Sequence, residues 1–245
     1  MEWPGHLFPN EAPKINSLKI LDEKIIGCTS CPRLVQWREE VAITKRKSYE
    51  DQIYWGKPVA GFGSDAPKIL VVGLAPGAHG ANRTGRIFTG DSSGDWLYAS
   101  LHRLGIAKIA TSDNRNDGQV LLDTRISCVV RCAPPDNKPS IEERDTCAPW
   151  LLRELELCQP TVRAYVALGS FAWTALAKHL KALGHPIISE KFAHGASIKY
   201  LHQGEKHLLI ASYHPSQQNT FTGKLTRPML DSVLKQAGRF AQVIS

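Results

Sequence analysis

Lys68-Ile69-Leu70-Val71-Val72-Gly73-Leu74, bounded by Pro67 and followed by the Gly-rich loop 75–91, decides the fold. The run is continuously apolar, without the alternation of a half-exposed strand. It therefore reads as a strand buried on both faces, the kind found in parallel sheets covered by helices on either side. Working outward, the pattern predicts a helix over about 93–104, a strand over about 119–130 and a proline-rich loop over 133–139. A helix from about Ser140 to Leu157, a strand over 161–168 and a helix over about 170–183 follow. Two strands, about 196–202 and 206–212, precede a last helix over about 227–241. On the other side, residues 16–26 read as a helix ending at Gly27. A second helix opens at Pro32 and runs to about 45, and residues 46–66 read as an irregular connection. Ser92, with Asp95 three residues on, is the expected cap of the 93–104 helix. Strands alternating with helices imply an α/β fold: three layers, α/β/α, with a mostly parallel sheet in a single domain over 1–245. Ligands of such sheets bind beyond the carboxyl ends of the strands, where the loops 75–91, 131–139 and 213–223 all fall.

Composition sets the outer limits. The 245 residues are 42% hydrophobic and 22% charged, a balance that excludes a disordered chain. No apolar run reaches the roughly 20 residues of a membrane span. Residues 1–5 lack the basic-then-apolar start of a secretory signal, so a cytoplasmic protein away from membranes is expected. The net charge of +7 suits either plain solubility or a polyanionic partner. In a reducing compartment the six cysteines read as metal ligands or buried thiols rather than disulfides. Cys28 and Cys31 form a C-x2-C clip at a helix start, and Cys132 and Cys147 flank a loop and the helix after it. Together they offer four thiolates to zinc or to an iron–sulfur centre, a choice that spacing alone leaves open. Cys128 and Cys158 read as packing residues.

Two segments carry chemistry. Residues 73–94 hold six glycines among Asn, His, Phe and Arg, which permits close backbone approach to a flat or charged ligand. The segment has neither the Gly-Lys-Ser/Thr end of a phosphate-binding P-loop nor a dinucleotide fingerprint. Arg83 and Arg86 within it suit phosphate contacts. His214-Pro215-Ser216-Gln217-Gln218-Asn219 follows a buried strand at the ligand end of the sheet.

The order Gly73-Leu74-Ala75-Pro76-Gly77-Ala78-His79-Gly80, Arg83-Thr84-Gly85-Arg86, Phe88-Thr89-Gly90-Asp91, Arg131-Cys132-Ala133-Pro134-Pro135-Asp136-Asn137-Lys138-Pro139 and His214-Pro215-Ser216 resembles the uracil-DNA glycosylase superfamily. The likeness runs from about residue 25 to 240 and is nearest to family 5, the UDGb type. Family 4 carries a Glu where this chain has Leu74, and family 1 an Asp where it has Ala75. The DNA-crosslinking UdgX type has a basic insertion after the Gly-rich loop, which is missing here. The resemblance implies a DNA-repair glycosylase for uracil and other deaminated bases such as hypoxanthine and xanthine. It also implies a 4Fe-4S cluster on Cys28, Cys31, Cys132 and Cys147, and a catalytic role at the position of Asp91. The alternatives are a strict family-4-like uracil enzyme, a non-catalytic DNA-binding protein of the same fold, and a zinc-stabilised nucleoside hydrolase.

The chemistry then assigns expected roles. Breaking the bond between base and deoxyribose makes the sugar cationic and the base anionic, after the base has left the stack. Phe88 is the expected stacking face, with Gly73, Leu74 and Ala75 beside the base. Asn137 offers donor and acceptor to its edge. His214 stabilises the leaving base, and Asp91 orients water or the sugar cation, with Asp136 the second carboxylate. Arg83, Arg86, Ser216, Gln217, Asn219 and Lys224 are expected to meet DNA, with Gln217, Gln218 and Phe221 as candidates for the side chain that presses into the duplex. The protein is expected to act as a monomer on DNA containing uracil or other deaminated bases.

Overall fold

The buried run at residues 69–73 is the middle of a six-stranded sheet in the computed structural model, which describes residues 9–188 and 190–245; residues 1–5, read above for a signal sequence, lie outside them. The strands are β1 (Phe62–Gly63), β2 (Ile69–Gly73), β3 (Thr124–Cys128), β4 (Ala164–Leu168), β5 (Ser197–His202) and β6 (Glu205–Ser212). Their order across the sheet is β1-β3-β2-β4-β6-β5. β3, β2, β4 and β6 are parallel neighbours, and β1 and β5 pair antiparallel at the two edges.

The helices are α1 (Leu18–Ile26), α2 (Pro32–Thr44), α3 (Ala81–Thr84), α4 (Ser92–Arg103), α5 (Ile141–Cys158), α6 (Ser170–Ala182), α7 (Gln217–Phe221) and α8 (Arg227–Phe240). Strand periodicity divides the core between two faces. Leu70 and Val72, with Tyr165, Ala167, Leu209 and Ala211, pack against residues of α1, α5 and α6. Ile69 and Val71, with Ile126, Val166, Leu208 and Ile210, pack against α4 and α8. Three layers follow, as the continuous apolar strands require. Among the described residues no helix is long and apolar enough to cross a membrane.

Local chemistry fixes the helix starts. Ser17 caps α1 by accepting from the Ile20 amide. Ser140 and Glu143 form a reciprocal capping box on α5, worth about 1 kcal/mol. The cap of α4 is Asp91, whose carboxylate accepts from the Gly94 amide at 3.0 Å, and Ser92 is the first helical residue. Two further departures from expectation have simple causes. The strand expected over 119–130 is regular only from Thr124, because Asp123 adopts a positive φ of 42° and ends the extended run on its N-terminal side. The connection 46–66 contains β1, too short at two residues to show any period.

A buried ionic group ties β3 to α5. Glu154, fully buried, accepts from Arg125, Arg131 and Ser127, and Arg125 also bridges to Asp22 of α1. Burial alone would raise the Glu154 carboxyl, yet Arg131 and Arg125 hold it down at about 2. Breaking such a group from one side costs about 3–5 kcal/mol. It holds Arg131, and hence its neighbour Cys132, against α5.

Candidate active-site cleft and cysteine group

A cleft of about 820 Å³ opens at the carboxyl ends of β2, β3 and β6. The loop after β2 contributes Leu74, Ala75, Gly77, His79 and Gly80, and its far end contributes Phe88 and Asp91. The loop after β3 brings Asp136 and Asn137, and the segment after β6 brings His214, Ser216, Gln217 and Gln218. Segments more than 100 residues apart in sequence thus line one cavity.

Its floor is aromatic. Phe88, only 6% exposed, sits at φ 51°, a left-handed conformation rare for a bulky residue. Its ring lies over Gly73, where a Cβ would stand 2.7 Å from the ring, so only glycine fits at that strand end. Gly73 itself lies under Phe88 and does not line the cleft. The His214 ring is 5.7 Å from that of Phe88, at an interplanar angle of 30°. Burial lowers the His214 pKa to about 4, so the imidazole is neutral near pH 7. Asn219 holds this segment by donating its side-chain amide to the His214 carbonyl at 2.8 Å.

Asp91 has two functions for its two oxygens. Oδ1 caps α4, while Oδ2 lies against Gly77 and Gly80 of the loop above it. A side chain at Gly80 would overlap that oxygen, so the glycine lets the loop close over the carboxylate. Burial raises the Asp91 pKa against the opposing pull of the Gly94 and Ser93 amides. Asn137, at φ 55°, is exposed at the rim, and its side-chain amide makes no hydrogen bond to the described residues.

Several residues expected at DNA are turned to other uses. Arg83 is buried, donates to the carbonyls of His79 and Gly90 and to Gln52, and stacks on Tyr49 at 3.9 Å. Arg86 is buried against Asp117, Ser112 and Thr89. Both guanidinium groups are spent on holding the Gly-rich loop, which corrects the expectation of phosphate contacts there. Asn219 faces inward, and the Ser216 hydroxyl caps α7 by accepting from the Asn219 amide. Gln217 and Gln218 are exposed at the cleft, and Phe221 is 84% exposed on α7. Lys224 is exposed, with its ammonium 4.9 Å from the Tyr213 ring centre. The cleft also takes Trp37, Arg46 and Tyr49 from α2 and the turn after it. No motif marks these three, because only the packing of α2 against α3 carries them to the site.

Four of the six cysteines lie near one another, away from the cleft lining. All six are free thiols. Cys31 immediately precedes α2, Cys28 lies in the turn after α1, Cys132 follows β3 and Cys147 is on α5. Cys28 and Cys132 lie close enough to Cys31 and Cys147 to oppose the ionisation of those two thiols. The Cys31 thiol is raised to about 12 by burial and by Cys132 and Cys28, and burial raises Cys147 too, with Cys132 and Cys28 adding to it. Donors point at two of the sulfurs, with Arg38 Nη1 at 2.9 Å from Cys132 Sγ and the Arg131 amide at 3.4 Å from Cys147 Sγ. Among the described residues, no group of three or more His, Cys, Asp or Glu side chains is placed to hold a single metal ion. Cys128 and Cys158 are fully buried in the two apolar cores.

With the geometry in place, comparison with known sequences gives a consistent result. Residues 60–238 match the sequence model of the "Uracil DNA glycosylase superfamily". A type-5 uracil-DNA glycosylase of Mycobacterium leprae is 49% identical over 229 residues, covering 93% of this chain and 97% of that protein. One of Thermus thermophilus is 48% identical over 221 residues, covering 89% and 96%. A type-4 uracil-DNA glycosylase of Pyrobaculum aerophilum is more distant, 31% identical over 160 residues, covering 65% and 64%.

Proposed function

The chain belongs to the uracil-DNA glycosylase superfamily, in its type-5 branch, and from that premise we infer a DNA-repair enzyme that hydrolyses the N-glycosidic bond of uracil in DNA and leaves an abasic site. On our reading its range extends to the deaminated purines hypoxanthine and xanthine, and it works as a cytoplasmic monomer in one domain. The observation that carries the reading is the convergence of Phe88, Asp91, Asn137 and His214 around one cleft at the carboxyl ends of parallel strands.

In this account the everted base rests against Phe88, and the unpartnered Asn137 amide meets its edge with one donor and one acceptor. As the bond from C1′ to the base nitrogen lengthens, negative charge gathers on the base. The neutral His214 ring donates a hydrogen bond to it. Its single N–H suffices and no second proton is needed, which suits a pKa held near 4. Asp91 faces the sugar side and either orients the attacking water or stabilises the cationic sugar. Water supplies the hydroxyl that bonds to C1′, and its proton ends on the departing base. Leu74 and Ala75 bring no polar group to the water, so a good leaving base matters more. That is the physical support for a range wider than uracil.

Cys28, Cys31, Cys132 and Cys147 fit an iron–sulfur cluster in donor chemistry, in the burial of all but the half-buried Cys31, and in the donors aimed at the Cys132 and Cys147 sulfurs. A zinc ion would draw four sulfurs to about 2.3 Å from one centre. These four would hold a cluster as thiolates, and the lack of a single-ion site among the described residues favours it over zinc. Hydrolysis transfers no electrons, so such a group would hold α1 and α2 against the Cys132 segment and α5.

The test is incubation of purified protein with duplexes carrying uracil or hypoxanthine, followed by alkaline cleavage, with bound iron measured on the same sample. Strand cleavage at both lesions and iron retained by the protein are expected. Binding without base release would leave a non-catalytic DNA-binding protein, and release of uracil alone would restrict the substrate range.

A further inference from the structure

The removal of Arg83 and Arg86 from the DNA surface leaves a question of charge, because a cleft that admits a DNA strand needs cations at its mouth. The turn after α2, Lys45-Arg46-Lys47, supplies them. Resting on the function proposed above, we infer that Arg46 contacts a phosphate of the strand carrying the everted base, with Lys47 beside it. Arg46 lines the cleft and is exposed, yet no hydrogen bond or ion pair among the described residues engages its guanidinium. Lys47 is likewise exposed and makes no ion pair among the described residues. By contrast, Arg38, Arg83, Arg86 and Arg131 nearby are buried and each is engaged by hydrogen bonds.

The turn is built rather than loose. Lys45 closes α2 at φ 52°, ψ 177°, a backbone conformation that side-chain-bearing residues rarely adopt. Its ammonium donates to the Glu50 carbonyl at 2.8 Å, which pins the loop that follows. The Tyr54 hydroxyl lies 3.4 Å from the Arg46 amide, which donates to it, and 3.1 Å from His79 Nδ1 in the Gly-rich loop. The His79 carbonyl in turn accepts from Arg83, which stacks on Tyr49. This brace fixes the base of Arg46 to the same loop that carries Asp91, while its guanidinium is left for a ligand. Burial depresses the His79 pKa, and the charges of Arg46 and Arg83 add to the depression, which places Arg46 electrostatically within the cleft. A free guanidinium beside a pocket for a nucleobase matches the phosphate of the neighbouring nucleotide.

The measurement is the affinity for a duplex holding a non-hydrolysable deoxyuridine analogue between 50 and 200 mM salt, for wild type, Arg46→Ala, Arg46→Lys and Lys235→Ala on α8. Each phosphate contact contributes about 0.9 to the slope of log K against log salt. Arg46→Ala should lower that slope by about 0.9, Arg46→Lys should keep it, and Lys235→Ala should match wild type. An unchanged slope for Arg46→Ala, or a loss of affinity equal at every salt concentration, would overturn the inference. Release of uracil by wild type is measured in parallel on a cleavable duplex. A protein that shows the predicted slopes but frees no base would refute the glycosylase reading and leave the phosphate contact standing.

Discussion

The two ends of the sheet both hold histidines whose pKa burial lowers, and a cleft lined by His214 opens at one of them. At the carboxyl ends of the parallel strands, His214 stands beside Phe88 and faces a cleft of about 820 Å³. At the opposite end, His185, His202 and His207 pack on one another and on Tyr165 and Tyr200, with the His185 and His202 rings stacked at 3.9 Å. Burial lowers His214, His185 and His207 alike, each to about 4. A depressed imidazole therefore does not mark a site by itself. What separates the two ends is room for a ligand, since Tyr165, His185 and His207 also hold buried polar atoms without a partner among the described residues. Carboxylates repeat the contrast: Glu154 is held low between Arg125 and Arg131 in the closed interior, whereas Asp91 is raised and turns one oxygen to the cleft loop.

That comparison can be tested at its strongest point first. In single-turnover release of uracil at pH 7, His214→Ala should slow the reaction about 10³-fold, within the range for loss of one donor to developing charge. Asp91→Asn should slow it about 10²-fold while retaining the helix cap, since Asn caps as well as Asp. A His214→Ala protein within threefold of wild type would erase the distinction between the two ends. A fully active Asp91→Asn would reduce that carboxylate to a cap.

The smaller effect concerns stability. His185 and His207 stay neutral in the folded protein down to about pH 4, whereas unfolded histidine takes a proton near 6.5. Between those values the unfolded chain binds more protons, so stability is present above about 6.5 and is lost as pH falls toward 4. The groups facing this cluster are His202, Tyr165, Tyr200, Arg163 and Glu205, and Gln159 bonds to His202 at 2.8 Å. Each of the two histidines contributes on the order of 2 kcal/mol to that loss. Denaturant unfolding from pH 7 to 4 should show it, and His207→Phe should flatten the dependence while leaving uracil release at pH 7 unchanged. A His207→Phe protein with the full wild-type slope would remove His207 from the effect.

Much of this architecture is legible in the sequence because it rests on local signals. The unbroken apolar run at 69–73 announces a strand buried on both faces, and Ser140 with Glu143 announces the start of α5. Phe88, Asp91 and His214 are legible because dense short motifs surround them. Residue type does not reveal direction, however. Arg83 and Arg86 look like phosphate ligands until Gln52 and Asp117, each 31 residues away, are seen to hold them. Trp37, Arg46 and Tyr49 could not be found from spacing, since tertiary packing alone brings α2 to the cleft. At five residues, α7 is too short to show a helical period. The His185 cluster is assembled from the β5–β6 hairpin and the segment after α6, and no run of sequence contains it.

The most direct measurement is the NMR of histidine ring protons, assigned through single-histidine variants, as a duplex with a non-hydrolysable deoxyuridine analogue is added. The account predicts that the His214 resonances shift on binding while those of His185, His202 and His207 stay where they were. Movement of the clustered histidines with a stationary His214 would contradict it.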